Sequence, residues 1–184
     1  MPLAHYMSFV RGDGASLDRL GGLSTHLPPT WPMSTATTPM AFTAQFACDP
    51  ARLPIPGAAI VQIYQTEPGI DPWPLAVLIP PGAARNVDGT GRPNHEVTPH
   101  DVRWEPRDDP MVATVDDLFD PRHGNLHASK AGGTNAHPDA LEPGERFLLQ
   151  LEDDRLREMH GLNFGGYSLI LVLTREGGVE ARLA

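Results

Sequence analysis

The sequence predicts a mainly β fold with some short helices, in which duplicated strand units form antiparallel sheets around one shared core. Three observations carry this expectation. Twenty prolines and eighteen glycines among 184 residues divide the chain into short elements joined by turns. No stretch keeps apolar positions at helical spacing over three turns. One piece of grammar also occurs twice: a basic residue and a Gly-Gly pair, an apolar strand with a central glutamine, then an apolar run opened by glycine. The first copy reads Arg19-Leu20-Gly21-Gly22, Phe42-Thr43-Ala44-Gln45-Phe46 and Gly57 to Tyr64. The second reads Lys130-Ala131-Gly132-Gly133, Phe147-Leu148-Leu149-Gln150-Leu151 and Gly166 to Thr174.

Taken in chain order, Ala15 to Leu20 reads as a short helix leading into the first Gly-Gly loop. Met40 to Ala47, Ala58 to Gln65 and Pro74 to Ile79 are strands, rich in aliphatic and aromatic residues and bounded by Pro and Gly. Residues 82–110 hold much of the Pro, Gly, Asp and Asn and read as a loop-rich surface excursion, with Trp104 as its large anchor. Met111 to Val115 follows as a strand and Val115 to Phe119 as a short helix. In the second half, Arg146 to Glu152, Tyr167 to Thr174 and Val179 to Leu183 are strands. Asp153 to His160 is a short helix that Asp153 or Asp154 could cap. Arg175-Glu176-Gly177-Gly178 supplies two glycines where a hairpin needs positive φ. Several strands are continuously apolar, which implies cover on both faces. The whole is one domain, residues 1–184, with pseudo-repeat halves at about 19–80 and 127–184.

Composition narrows the function. Net charge is −9, and residues 61–120 hold eleven acidic against four basic side chains. A non-specific nucleic-acid binder needs the opposite sign on its contact face, so nucleic acid is excluded as a partner class. The acidic middle would instead steer a basic protein partner. One cysteine, Cys48, rules out an internal disulfide. Met1 to Val10 lacks a basic, apolar leader, and Leu169 to Leu173 is too short to span a bilayer. The expectation is a soluble cytoplasmic protein without membrane association.

Chemistry-bearing patterns are sparse. His123 and His127 have i, i+4 spacing, but Pro121, Gly124 and Asn125 favour a turn, and no glutamate follows His123 as a metalloprotease helix requires. They are the weak candidates for a metal, and no metal or cofactor is assigned; His95 and His100 read as solvated loop residues. Cys48 has no basic neighbour or helix N-terminus to activate it. Glu152-Asp153-Asp154 reads as a strand-exit turn. Neither phosphate-loop nor dinucleotide fingerprints occur. Gln45 and Gln150, set inside apolar strands, must satisfy an amide and a carbonyl. They could tie their strands to the Gly-Gly loops, or face a shared cleft with Gly22, Gly133 and Lys130 as ligand-binding candidates. Trp73 and Trp104 flank the acidic region. With Asp108, Asp109, Asp116 and Asp117 they form the candidate partner-binding set.

These residues in this order resemble the YwqG-like family, a bacterial family of unknown function. The matching signatures are Leu20-Gly21-Gly22-Leu23, Leu27-Pro28-Pro29-Thr30-Trp31-Pro32 and Phe42-Thr43-Ala44-Gln45-Phe46 in the first half. Ser129-Lys130-Ala131-Gly132-Gly133, Leu148-Leu149-Gln150-Leu151 and the glycine-led strand Gly165 to Leu173 match in the second. The family usually has proline just after each Gly-Gly-x, where this chain has Ser24 and Thr134-Asn135-Ala136. The resemblance implies a mainly β protein with related halves and brings no catalytic residues. Some members occur in genomic company with secreted toxins, which implies an immunity or partner-binding role. The expected function is therefore a non-enzymatic intracellular protein-binding module, of immunity or adaptor type, engaging a basic partner. The alternative is a small-ligand-binding or hydrolytic protein with a pocket between the halves. The repeated unit also offers a sheet edge for homodimerisation.

Overall fold

Short apolar segments between turns pair side by side here into one antiparallel sheet. The computed structural model describes the chain except for residues 13–15, 35–36, 67–72, 113–116, 118–119, 121–125 and 153–159. Its strands are β1 (Leu3–Arg11), β2 (Arg19–Leu20), β3 (Ala41–Ala47), β4 (Ile60–Gln65), β5 (Pro74–Ile79), β6 (His100–Asp108), β7 (Lys130–Gly132), β8 (Arg146–Leu151), β9 (Leu169–Leu173) and β10 (Val179–Leu183). They lie in the order β10-β9-β8-β7-β1-β6-β2-β3-β4-β5. The edge strands β5 and β10 come together, so the sheet is nearly closed into a barrel. A mainly β, antiparallel fold is thus what forms, as one ten-stranded sheet.

The barrel wraps a single core. Leu20, Ala44, Phe46, Val61 and Ile63 from the first half meet Leu149, Leu151, Leu162, Phe164, Leu169 and Leu171 from the second, all essentially without exposure. Burying each large side chain is worth about 1.5–3 kcal/mol, so this shared interior, inaccessible to either half alone, favours one domain. A smaller cluster of Met40, Phe42 and Tyr64 sits apart, with Trp31 packed against it. The two clusters are separated by a bulge. Phe42 pairs with Tyr64 and Ala44 with Ile63, leaving Thr43 as the extra residue. Without it Phe42, Ala44 and Phe46 would share one face. With it, Phe42 joins Tyr64 outside while Ala44 and Phe46 fill the barrel. A second register shift, between Phe147 and Leu149, interrupts β8 and β9.

Several sequence expectations change. The excursion 82–110 contains β6, nine residues at the centre of the sheet, where Val102 and Trp104 pack on the core while Arg103, Glu105 and Arg107 alternate outward. Its charges and Pro106 mask a period-two pattern. Strand β1, its partner along their whole length, likewise mixes exposed and buried residues and carries no continuous apolar run. Arg19–Leu20 is strand, not helix, because it bridges β3 and β6. Met111 and Val112 lie in no strand, and the rest of 111–115 is outside the described residues. So are most of the helices expected at 115–119 and 153–160. The hairpin at 175–178 forms as expected: Gly177 takes φ 84° and Val179 pairs with Leu173. Among the described residues no helix is long and apolar enough to cross a membrane.

Candidate functional site

The first Gly-Gly loop leaves the sheet at β2 and crosses the outer face of β3 and β4. Gly21 and Gly22 adopt φ of 62° and 68°. A Cβ on Gly21 would stand 2.5 Å from the Val97 carbonyl oxygen, so only glycine fits there. Gln45 holds the loop down: its Oε1 accepts from Thr25 N–H at 2.9 Å, and its Nε2 donates to Thr25 Oγ1 at 2.7 Å and Leu17 O at 2.9 Å. Next to it, Gln62 Nε2 donates to His26 O at 2.8 Å. Both glutamines are fully buried, and these bonds are what makes that burial tolerable.

Residues 85–90 dock on top. Asn86 N–H donates to Thr25 O at 2.8 Å, and its Nδ2 to Ser24 O at 3.1 Å and Thr90 O at 2.7 Å. Between this segment and the Gly-Gly loop lies an open cleft of about 620 Å³, lined by Arg19, Gly22, Ser24, Thr25, Arg85 and Asn86 among others. Arg19 is buried, with Nε donating to Ser16 O and Nη1 to Leu23 O. Arg85 is exposed and makes no ion pair among the described residues. No carboxylate lines the cleft among the described residues. His26, burdened first by burial and then by the Arg85 charge, is held below the ordinary histidine range. The described lining of the cleft thus holds two guanidinium groups, of which Arg85 is the exposed one.

The second Gly-Gly loop is closed. Lys130 is fully buried, its Nζ 2.7 Å from Asp109 Oδ2. Asp109 also accepts from the Tyr6 hydroxyl and, at 2.6 Å, from Thr134 N–H. Burial and this bond both hold the Tyr6 phenol in its neutral form, well above the ordinary tyrosine range. Burial lowers the Lys130 ammonium, and Asp109 pulls it back toward the charged form. A Cβ on Gly133 would lie 2.4 Å from Asp109 Oδ2. Gln150, also fully buried, donates to Leu126 O at 2.9 Å and Ala128 O at 2.8 Å. Gln150 and Lys130 are thus engaged in buried hydrogen bonds of their own, and Gly133 packs on Asp109, apart from the cleft that Gly22 lines.

The partner-binding set is dispersed. Asp109 is buried in its ion pair and presents no surface, which removes it from an acidic patch. Trp104 is half-buried, its ring covered by the Arg52 guanidinium at 4.4 Å and met edge-on by Phe46. Trp73 is 66% exposed and Asp108 is exposed. Trp73 adjoins β5 and Asp108 ends β6, with β2, β3 and β4 between those strands. Asp117 is partly exposed; Asp116 lies outside the described residues. Cys48 is half-buried, and burial with Asp18 nearby pushes its thiol up to about 12. His123 also lies outside the described residues, whereas His127 stands beside His137 and Glu152.

Sequence reasoning missed Arg85 and Asn86, because they sit in a loop whose docking partner is sixty residues away in the chain. It also passed over His137, although Asn135 two residues earlier is a turn signal. Comparison of the sequence with protein-family models and with curated proteins finds no match to either.

Proposed function

We propose that this chain is a binding protein that takes a small anionic ligand, a carboxylate or phosphate ester, in the cleft beside the first Gly-Gly loop. The observation that carries this reading is the exposed Arg85 guanidinium, without an ion pair among the described residues, in a cleft whose described lining also holds Arg19 and no carboxylate. Guanidinium forks bind planar and tetrahedral oxyanions bidentately, and such charge-assisted bonds are roughly twice as strong as neutral ones. Asn86, Ser24 and Thr25 add neutral polar groups to fix orientation. Calorimetric titration with inorganic phosphate and with a small dicarboxylate tests it. Saturable binding that Arg85→Ala weakens at least tenfold supports the reading. Absence of binding by either anion, or binding indifferent to Arg85→Ala, refutes it.

A second reading, engagement of a basic protein partner by an immunity-type or adaptor module, is favoured by one observation. Trp73 and Leu75, two residues apart, are 66% and 42% exposed, an apolar pair of the kind that anchors interfaces. The acidic contribution then rests on Asp108 and Asp117, without Asp109. Capture of a stoichiometric basic partner that Trp73→Ala releases would support this second reading. Kinship with the YwqG-like family belongs with these proposals. It is supported by register: Arg19 lies opposite Gln45 on β2 and β3, as Lys130 lies opposite Gln150 on β7 and β8.

A further inference from the structure

We propose that His127, His137 and Glu152 form a binding site for a divalent transition-metal ion of the zinc type. One ligand atom from each lies within 4.8 Å of the others. Tetrahedral zinc with nitrogen and oxygen ligands at about 2.1 Å spaces its ligand atoms about 3.4 Å apart. Closing the set therefore takes a contraction of about 1.4 Å at most, which rotation of three partly exposed side chains can supply.

The side chains are already aimed at one point. His137 Nε2 is shielded from water and has no hydrogen-bond partner. It stands 3.9 Å from Glu152 Oε1, too far for a hydrogen bond. A ring nitrogen and a carboxylate oxygen that face each other across this gap are what a cation would join. The two imidazole rings are 5.9 Å apart and inclined at 73°, so they offer nitrogens from different directions.

Support from behind comes from neighbouring polar groups. Asn135 clamps the His137 backbone on both sides, accepting its N–H at 2.9 Å and donating to its carbonyl at 2.8 Å. Ser129 Oγ accepts Glu152 N–H at 3.0 Å. The two N–H groups of buried Gln150 are taken up by the carbonyls of Leu126 and Ala128, which flank His127, with Glu152 Oε1 farther off at 3.3 Å. This amide therefore fixes the backbone on either side of His127, an outer-shell support of the kind that orients metal ligands. The first Gly-Gly loop has no such set, since Ala47 stands two residues after Gln45 where Glu152 follows Gln150.

Two imidazoles and one carboxylate suit zinc, iron, cobalt or nickel, and three protein ligands leave a coordination position for water or an incoming ligand. The sequence expectation of no metal weighed His123 and His127 with His95 and His100 and rested on the lack of a ligand spacing that fixes geometry. The structure points to different companions for His127, brought in from β8 and from the second Gly-Gly loop.

The test is titration of the full chain with Zn²⁺ by calorimetry, and with Co²⁺ followed by its visible absorption. The expected result is one ion per chain and a cobalt spectrum of low coordination number. Affinity should fall at least tenfold in His137→Ala and in Glu152→Gln, and stay unchanged in His95→Ala, an exposed loop histidine. Should either variant lose its circular dichroism signal, His127→Ala takes its place. No stoichiometric ion, or equal affinity in the wild type and all folded ligand variants, overturns the proposal.

Discussion

Replacing Lys130 with methionine removes the positive charge that pairs with Asp109 in a site where both side chains are wholly buried. Methionine preserves most of the apolar stem, so the packing change is small and the loss is electrostatic. Breaking a buried ion pair by deleting one partner costs about 3–5 kcal/mol, because the other charge remains without compensation. Asp109 here keeps two donors, the Tyr6 hydroxyl and Thr134 N–H, which places the expected loss near the lower end, about 3 kcal/mol. With a denaturant slope of about 2 kcal/mol per molar urea, the midpoint should fall by roughly 1.5 M. Equilibrium urea unfolding at pH 7 and 25 °C reads this directly, provided the slope is unchanged. The double variant Lys130→Met with Asp109→Asn removes both charges and should regain about 1.5 kcal/mol or more of that loss. A midpoint shift under about 0.5 M for the single variant would refute the reasoning, as would strict additivity in the double.

Three other outcomes follow from the same structure. Gly161→Ala should destabilise the fold severely, since its Cβ would fall 1.8 Å from the Glu96 carbonyl oxygen at φ 75°; Gly57→Ala, at φ 74° with open space, should cost only about 1 kcal/mol, and equal losses in thermal unfolding would contradict this. Cys48 should resist iodoacetamide at pH 8 in the native state and react on unfolding, because its thiol is held near 12; rapid native labelling, followed by mass, would count against that environment. His5, His26 and His160 are all held below the ordinary histidine value, burial being the first cause in each. Their unfolded forms take up protons more readily, so stability should be complete above about pH 7 and decline as pH falls through 6.5. Urea midpoints at pH 7.5 and 5.5 check the sign, and a midpoint that rises on acidification would reverse it.

How much was legible beforehand follows from which signals are local. Strands β3, β4, β5, β8 and β9 were readable because their runs are largely apolar and end at turns, and β10 because the Gly177-Gly178 hairpin leads into alternating Val179, Ala181 and Leu183. Strands β1 and β6 were not, because β1 mixes polar with apolar residues, β6 carries charges and Pro106, and their pairing with each other and with β7 and β2 joins segments far apart in the chain. Gln45 and Gln150 announced a need for hydrogen bonds; the structure meets it fully at Gln45, and at Gln150 for the amide N–H groups but not for Oε1. Asp109 shows the opposite case. In sequence it is one acid among eleven in an acidic stretch, and nothing there says that Lys130, twenty-one residues on, will take it out of the surface.

The sequence by itself determined the class of this protein: short strands, many turns, an acidic surface and two glutamine-bearing units, all consequences of local composition and period. Tertiary structure alone decided which charges are surface and which are core, and which loops meet. The arginine cleft joins residues 19–25 to 85–90, and the histidine–glutamate set joins 127, 137 and 152. Those meetings are fixed by strand order and by the bulges that turn side chains from one face to the other. Both arise from pairing between distant segments, so no local pattern encodes them.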